Sequence, residues 1–256
     1  MNFIISAMTD VGTMKSTNQD GLSAKVIRTM RGEMVFAIIC DGVGGLSDGE
    51  VASASVIRAF DEWVYRELPA LSQNPIIEDS VIKDQWLKLV VQQSEKIRMY
   101  GIQRGIQLGT TAVIMLLTQN RYYIMNIGDS RAYQITNNLK QITNDHTFVA
   151  REIALGRMTE EEALKDDRRH ALLQCIGVSE TIYPDMFFGE IPKDSVFMLC
   201  SDGFRNEISR EELFARLQPG ALLNENLMNE YSKEIIELVK MRQETDNISV
   251  VLVRTF

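Results

Sequence analysis

The stretch Met34-Val35-Phe36-Ala37-Ile38-Ile39-Cys40-Asp41-Gly42-Val43-Gly44-Gly45-Leu46-Ser47-Asp48-Gly49-Glu50 decides how the rest of the chain is read. Its first seven residues form an apolar run of strand length, so Asp41 falls where a buried strand ends and turns. Gly42, Gly44 and Gly45 supply a backbone that turns sharply, approaches a ligand closely and leaves its carbonyls accessible. From about Gly49 the pattern becomes helical. A carboxylate at a strand tip, followed by a glycine turn, suits a hard cation. One such step is weak evidence, because most Asp-Gly pairs are ordinary turns.

Toward the amino terminus, residues 2–8 and 22–29 read as strands, and Arg31-Gly32-Glu33 is the hairpin turn into the strand 34–40. The polar connection between the first two carries Asp20, which strand pairing can bring close to Asp41. Toward the carboxyl terminus, Val51, Ala54, Ser55, Ile57, Ala59, Phe60 and Val64 give residues 49–66 a helical stripe that stops before Pro69. Residues 69–75 read as a loop, and 77–104 as a second long helix or a broken pair, with Trp86, Leu87, Val90, Ile97 and Met99 inward. Strands 110–117 and 121–127 form a hairpin, Gly128-Asp129-Ser130 breaks the pattern, and 131–135 is a further strand.

Residues 136–181 are irregular, with short helices at about 148–155 and 159–166, the second capped by Thr159 with Glu162 three positions on. This charged insertion between strands reads as a surface flap. Apolar strands at 186–189 and 195–200 flank Pro192-Lys193-Asp194, and the second ends in Ser201-Asp202-Gly203, repeating the device of residues 40–42. Helices at about 209–217, capped by Ser209, and 223–240 follow, the latter with Leu227, Tyr231, Ile235, Leu238 and Val239 inward. Asp246-Asn247 then opens the last strand, 248–253.

The 256 residues contain no repeat and no Pro-, Gly- or Ser-rich linker, which reads as one domain over 1–256. A net charge of -8 argues against nucleic-acid or anionic-membrane partners, which need a basic face. The start of the chain lacks a cationic leader, and no apolar run approaches the roughly 20 residues of a membrane span. Cys40, Cys175 and Cys200 are odd in number and lack metal-ligand spacing, so they read as reduced thiols of a cytoplasmic protein. With only His146 and His170 present, zinc chemistry built on several histidines is almost excluded.

Asp41, Asp129, Asp202 and Asp246 thus each lie at the end of an apolar strand. Gathered at one sheet rim, such acids would repel one another and suffer a severe desolvation cost. Apart from Arg131 near Asp129, no basic residue accompanies them, so divalent cations with oxygen ligands, Mg²⁺ or Mn²⁺, are the economical counter-charge. The competing explanation is four unrelated, hydrated turn acids; the fourfold repeat argues against it.

These residues resemble the metal-dependent protein phosphatases, the protein phosphatase 2C family, and especially its single-domain bacterial members. The resemblance spans essentially the whole chain. It rests on Gly12 with Lys15-Ser16-Thr17-Asn18-Gln19-Asp20, Asp41-Gly42-Val43-Gly44-Gly45 with Gly49-Glu50-Val51-Ala52-Ser53, Gly109-Thr110-Thr111-Ala112, Ile127-Gly128-Asp129-Ser130-Arg131-Ala132-Tyr133, Thr143-Asn144-Asp145-His146-Thr147-Phe148-Val149, Ser201-Asp202-Gly203 and Asp246-Asn247-Ile248-Ser249. It implies an α+β, four-layer αββα sandwich: two antiparallel β-sheets flanked by helices, with the metal centre at one end and a flap at about 147–170. By the same resemblance, Asp41 bridges two metals, the Gly42 carbonyl binds one of them, and Asp202 and Asp246 complete the other. Asp20 orients metal-held water, and Asp129 with Asp202 holds a third, weaker ion.

The activity implied is hydrolysis of phosphoserine and phosphothreonine. Two divalent ions about 3.5–4 Å apart lower the pKa of a shared water, and the hydroxide attacks phosphorus in line with the leaving alkoxide. Phosphorylated proteins and a cognate Ser/Thr kinase are the implied partners, and the chain is expected to be a monomer. Several positions depart from the family pattern. Lys15 stands where the family has a phosphate-gripping arginine, and a lysine offers a point charge rather than a fork. Val43 replaces a methionine or a proton-donating histidine, and Asn206 replaces another third-metal aspartate. Residues 165–171 differ from the usual flap motif, and His146 and His170 read as structural or flap-surface groups. The other readings are a catalytically weak phosphoprotein-binding module and a phosphatase of small esters.

Overall fold

The strand that delivers Asp41 is apolar on both faces because both faces are covered. In the computed structural model, which describes residues 1–43, 48–74 and 76–256, Val35, Ala37 and Ile39 face a second sheet while Phe36, Ile38 and Cys40 face helices. The Gly44-Gly45 part of the glycine turn lies outside the described residues. The chain begins β1 (Phe3–Asp10), β2 (Gly21–Thr29), β3 (Gly32–Cys40), α1 (Gly49–Arg66), α2 (Leu68–Leu71), α3 (Asp79–Arg104), β4 (Ala112–Leu117), β5 (Arg121–Ile127), β6 (Arg131–Ile135) and β7 (Leu139–Gln141). It continues α4 (Phe148–Ala154), α5 (Glu160–Lys165), β8 (Asp185–Glu190), β9 (Val196–Cys200), α6 (Asp202–Arg205), α7 (Arg210–Leu217), α8 (Glu225–Met241) and β10 (Ile248–Thr255).

Two antiparallel five-stranded sheets result, in the orders β1-β10-β9-β6-β7 and β2-β3-β4-β5-β8. Phe3, Val113, Met115, Phe197, Leu199, Val251 and Val253 fill the layer between them. α1 and α3 cover the second sheet through Phe60, Trp63 and Trp86, with the two indoles edge to face at 5.6 Å. Across the molecule, α7 and α8 cover the first sheet with Leu213, Leu217, Met228, Ile235 and Val239. Four layers, α, β, β, α, are therefore observed, as the family resemblance implies. Among the described residues no helix is long and apolar enough to cross a membrane.

Register places the acids. Gly21 pairs with Cys40, so Asp20 and Asp41 leave adjacent strand ends side by side. Val250 pairs with Cys200, and a Ser201 N–H to Ser249 O bond of 3.1 Å extends that pairing toward Asp202 and the turn containing Asp246. Both sheets thus deliver carboxylates to one rim.

Local differences from the sequence reading have physical causes. The expected loop at 69–75 begins inside a single helical turn, α2, because Pro69 sits in the first turn, where its missing N–H costs nothing. β7 is three residues long, too short for any periodicity to show. The strands around Pro192 are not a hairpin: β8 joins one sheet and β9 the other. Ala54 and Met99 are exposed, since the buried face of α1 runs through Ala52, Val56, Phe60 and Trp63, and that of α3 through Ile82, Trp86, Val90 and Ile97. In α8 the buried line is Met228, Ser232, Ile235, Ile236 and Val239, with Leu227, Tyr231 and Leu238 half-buried beside it.

Candidate metal centre

Each Asp-Gly step is locked to the loop that carries another acid. A Cβ on Gly42 would lie 2.7 Å from the Gln19 carbonyl oxygen, and one on Gly203 would lie 2.3 Å from the Asn247 carbonyl oxygen. Only glycine allows these approaches. They hold Asp20 against the Asp41 turn and Asp246 against the Asp202 turn. The Gly42 N–H donates to the Gln19 carbonyl at 3.2 Å. Thr110 and Thr111 fix the exit of β3: the Thr111 N–H and Thr110 Oγ1 both donate to the Asp41 carbonyl, at 2.8 and 2.9 Å, and the Asp41 N–H donates to Thr111 Oγ1 at 3.2 Å.

The polar loop before β2 is tied down by one buried side chain. Asn247 accepts from the Gln19 N–H at 2.9 Å and donates to the carbonyls of Val11 and Thr17 at 2.9 and 3.2 Å. Glu244, also buried, accepts from the backbone N–H groups of Thr245 and Asp246 at 2.7 and 2.9 Å. Asp20 is buried, and its Oδ2 accepts from Ser249 Oγ at 2.6 Å.

The carboxylates share one field. Burial pushes the Asp20 carboxyl up to about 7; the Ser249 and Ser201 hydroxyls oppose the rise, and the charges of Asp202 and Asp246 add to it. Asp41 is raised well above the usual carboxylate range, first by burial and then by Asp20, Asp202, Asp129 and Asp246. Burial and Asp202 raise Asp129 to about 7, against the pull of Arg205. Asp20, Asp41 and Asp129 therefore lack enough counter-charge to keep them comfortably ionised. Buried Asp20 Oδ1 and Asp202 Oδ1 have no hydrogen-bond partner among the described residues. Acceptor-only oxygens orphaned in this way fit a hard divalent cation, whose ligands are carboxylates, carbonyls and water. Among the described residues, no three Asp, Glu, His or Cys side chains already converge at ion-holding distances, so the acids share a field rather than a finished coordination shell.

Three basic groups approach this rim. Lys15 Nζ lies 3.4 Å from Asp246 Oδ1, and both side chains are about one-third exposed. His170 Nδ1 lies 3.9 Å from Asp202 Oδ2. Arg131 does not neutralise Asp129, contrary to the sequence reading. It makes a two-pronged contact with Asp145 at 2.8 and 2.6 Å, and the guanidinium bonded to Asp129 is that of Arg205, at the main-chain carbonyl.

The family model for protein phosphatase 2C matches residues 13–234. The chain belongs to the protein phosphatase 2C family. A protein phosphatase 2C-type protein of Streptococcus pyogenes is 30% identical over 254 residues, covering 97% of this chain and 96% of that relative. The S. agalactiae serine/threonine phosphatase superposes with a TM-score of 0.83 at 26% identity, covering 100% of both chains. The catalytic domain of the serine/threonine protein phosphatase PstP, in complex with 2 manganese ions, gives a TM-score of 0.78 at 26% identity and covers 98% of this chain and 97% of that one.

In this protein phosphatase 2C the flap leaves and rejoins the sandwich at one neck. Phe148 N–H donates to the Ala171 carbonyl at 2.8 Å and Leu173 N–H to the His146 carbonyl at 2.7 Å. The neck carries His170 to the acid rim, a placement that sequence reasoning missed because flap residues show no periodicity. Ser249 and Asn247 stand within a sequence motif that by itself assigns them no role. A buried serine inside the apolar run 248–253 was the available signal, since such a hydroxyl needs a partner.

Proposed function

We propose that this member of the protein phosphatase 2C family hydrolyses phosphoserine and phosphothreonine in proteins, using two Mn²⁺ or Mg²⁺ ions held by Asp41, the Gly42 carbonyl, Asp202 and Asp246. The observation that carries this is the pair of buried, unpartnered carboxylate oxygens on Asp20 and Asp202, within a field that raises Asp41 and Asp20 together. When bound, the divalent ions supply the Lewis-acid charge that makes water nucleophilic and offsets charge on the phosphoryl group. Asp20 Oδ1 is the free acceptor that orients the attacking water, while Ser249 fixes the other oxygen. Lys15, flexible and partly exposed beside Asp246, reaches the phosphate as a point charge. Val43 has no proton to give, so the leaving alkoxide takes its proton from water or from another group.

The partners in this reading are phosphorylated proteins and a cognate Ser/Thr kinase, with the enzyme acting as a cytoplasmic monomer. Retention of Asp41, Gly42, Asp202 and Asp246 disfavours the binding-module reading. The test compares hydrolysis of a phosphothreonine peptide and p-nitrophenyl phosphate, with manganese and with EDTA, by the native chain and by Asp41→Ala and Asp202→Ala. Manganese-dependent peptide turnover lost in both variants is expected. Turnover unaffected by either substitution would reject the reading, and turnover of the small ester alone would reassign the substrate.

A further inference from the structure

Beside the acid rim lies a half-buried charged network that the proposed chemistry does not use. Asp145 receives Arg131 Nε and Nη2 at 2.8 and 2.6 Å, and Gln141 Nε2 at 3.4 Å, so its carboxylate is already neutralised. Arg205 stands next to this pair, with its side chain only 12% exposed and Nη2 at 3.7 Å from Asp145 Oδ2. A guanidinium withdrawn from water to that degree needs a counter-charge of its own. The carboxylate within reach is that of Asp145, shared with Arg131, while Arg205 Nη2 donates to the Asp129 main-chain carbonyl at 3.0 Å, so two guanidinium groups share one carboxylate and a positive charge is left over beside Asp129.

The neighbouring residue completes the arrangement. Arg205 Nη1 donates to Asn206 Oδ1 at 3.1 Å, and Asn206 Nδ2 faces Asp202 Oδ2 at 3.4 Å. Both ends of the amide are therefore engaged. Its oxygen is turned to a cation that is part of the chain, and the end facing Asp202 is a donor, which repels a metal ion rather than ligating it.

We propose that Arg205 is a resident cation that takes the place of a third divalent ion at the Asp129 end of the centre, so that the chain holds two such ions and no more. This rests on the two-ion reading given above. Asp129 then anchors the guanidinium, and Asn206 bridges Arg205 to Asp202. A third ion brought to Asp129 would lie against a fixed positive charge, with one carboxylate fewer to hold it.

The test counts manganese bound to the full chain by electron paramagnetic resonance of the free ion, titrated to millimolar concentration, with circular dichroism reporting the fold. The native chain is expected to take up two equivalents, unchanged in Asp129→Asn. Asn206→Asp alone is expected to stay at two, because Arg205 neutralises the added carboxylate. The Arg205→Thr, Asn206→Asp double variant is expected to bind a third. A third equivalent on the native chain that disappears in Asp129→Asn would overturn the proposal, as would a folded double variant that stops at two. Should the double variant not fold, the native count and Asn206→Asp decide. Fewer than two equivalents on the native chain would defeat the two-ion reading, and the proposal with it.

Discussion

Replacing Asp20 by asparagine should stabilise the protein without metal while crippling the enzyme with it. Asp20 is buried, and its carboxyl titrates near 7 instead of the ordinary 3.8. Because the folded-state pKa lies above the unfolded one, the folded protein binds the proton more tightly. Its contribution to stability is thus intact below about pH 4 and declines as pH rises from there through about 7. A displacement of about three decades corresponds to roughly 4 kcal/mol, most of it felt by pH 8. Asparagine keeps an acceptor for Ser249 Oγ but cannot ionise, and it leaves one amide donor to be satisfied, so a net gain of roughly 2–4 kcal/mol at pH 8 is expected. Urea unfolding in EDTA between pH 4.5 and 8 measures it: the variant's advantage should grow with pH. Manganese should reverse the order, because it binds the folded native chain and adds stability as its concentration exceeds the dissociation constant. A variant less stable than the native chain at pH 8 in EDTA, or an advantage independent of pH, would refute the reasoning.

Gly203→Ala forces a Cβ to within 2.3 Å of the Asn247 carbonyl, so the turn bearing Asp246 must shift. A loss of about 1–3 kcal/mol in urea unfolding and most of the manganese-dependent activity are expected, and native-like turnover would count against the lock between these turns. Asn247→Ala strands the Gln19 N–H and the carbonyls of Val11 and Thr17. It should cost about 2–4 kcal/mol and speed hydrogen exchange in residues 11–20; a loss under about 0.5 kcal/mol would show that water replaces these bonds easily. Asp145→Ala leaves Arg131 and Arg205 without their shared carboxylate. A destabilisation of about 3–5 kcal/mol at pH 7 is expected, read by the same unfolding assay, and a neutral result would mean the pair is solvated.

Much of the site was legible because its chemistry repeats in the sequence. Four apolar runs carry an acid at one end, and two of those acids precede a glycine that close packing against another loop demands. Layer order was not legible from periodicity alone. The fully apolar Met34–Cys40 declares burial on both faces, but not whether a helix or a sheet covers each one. Short elements such as β7 and α6 fall below the length at which a pattern can register. Charge partners escaped for a different reason. Arg131 is two residues from Asp129 in the chain, yet the alternation of β6 turns it toward Asp145, while Arg205, distant in sequence, arrives through the turn that follows Asp202. Adjacency along a strand is poor evidence of contact.

The acids are divided between the two sheets: Asp20 and Asp41 come from the one containing β3, Asp202 and Asp246 from the one containing β10. Cation affinity thereby becomes a gauge of how far apart the two leaves stand. Trimming a methyl group from Val35, Val251 or another side chain in the apolar seam would be felt at the acid rim without touching a single carboxylate. Selection on reactivity therefore extends into the oiliest part of the molecule.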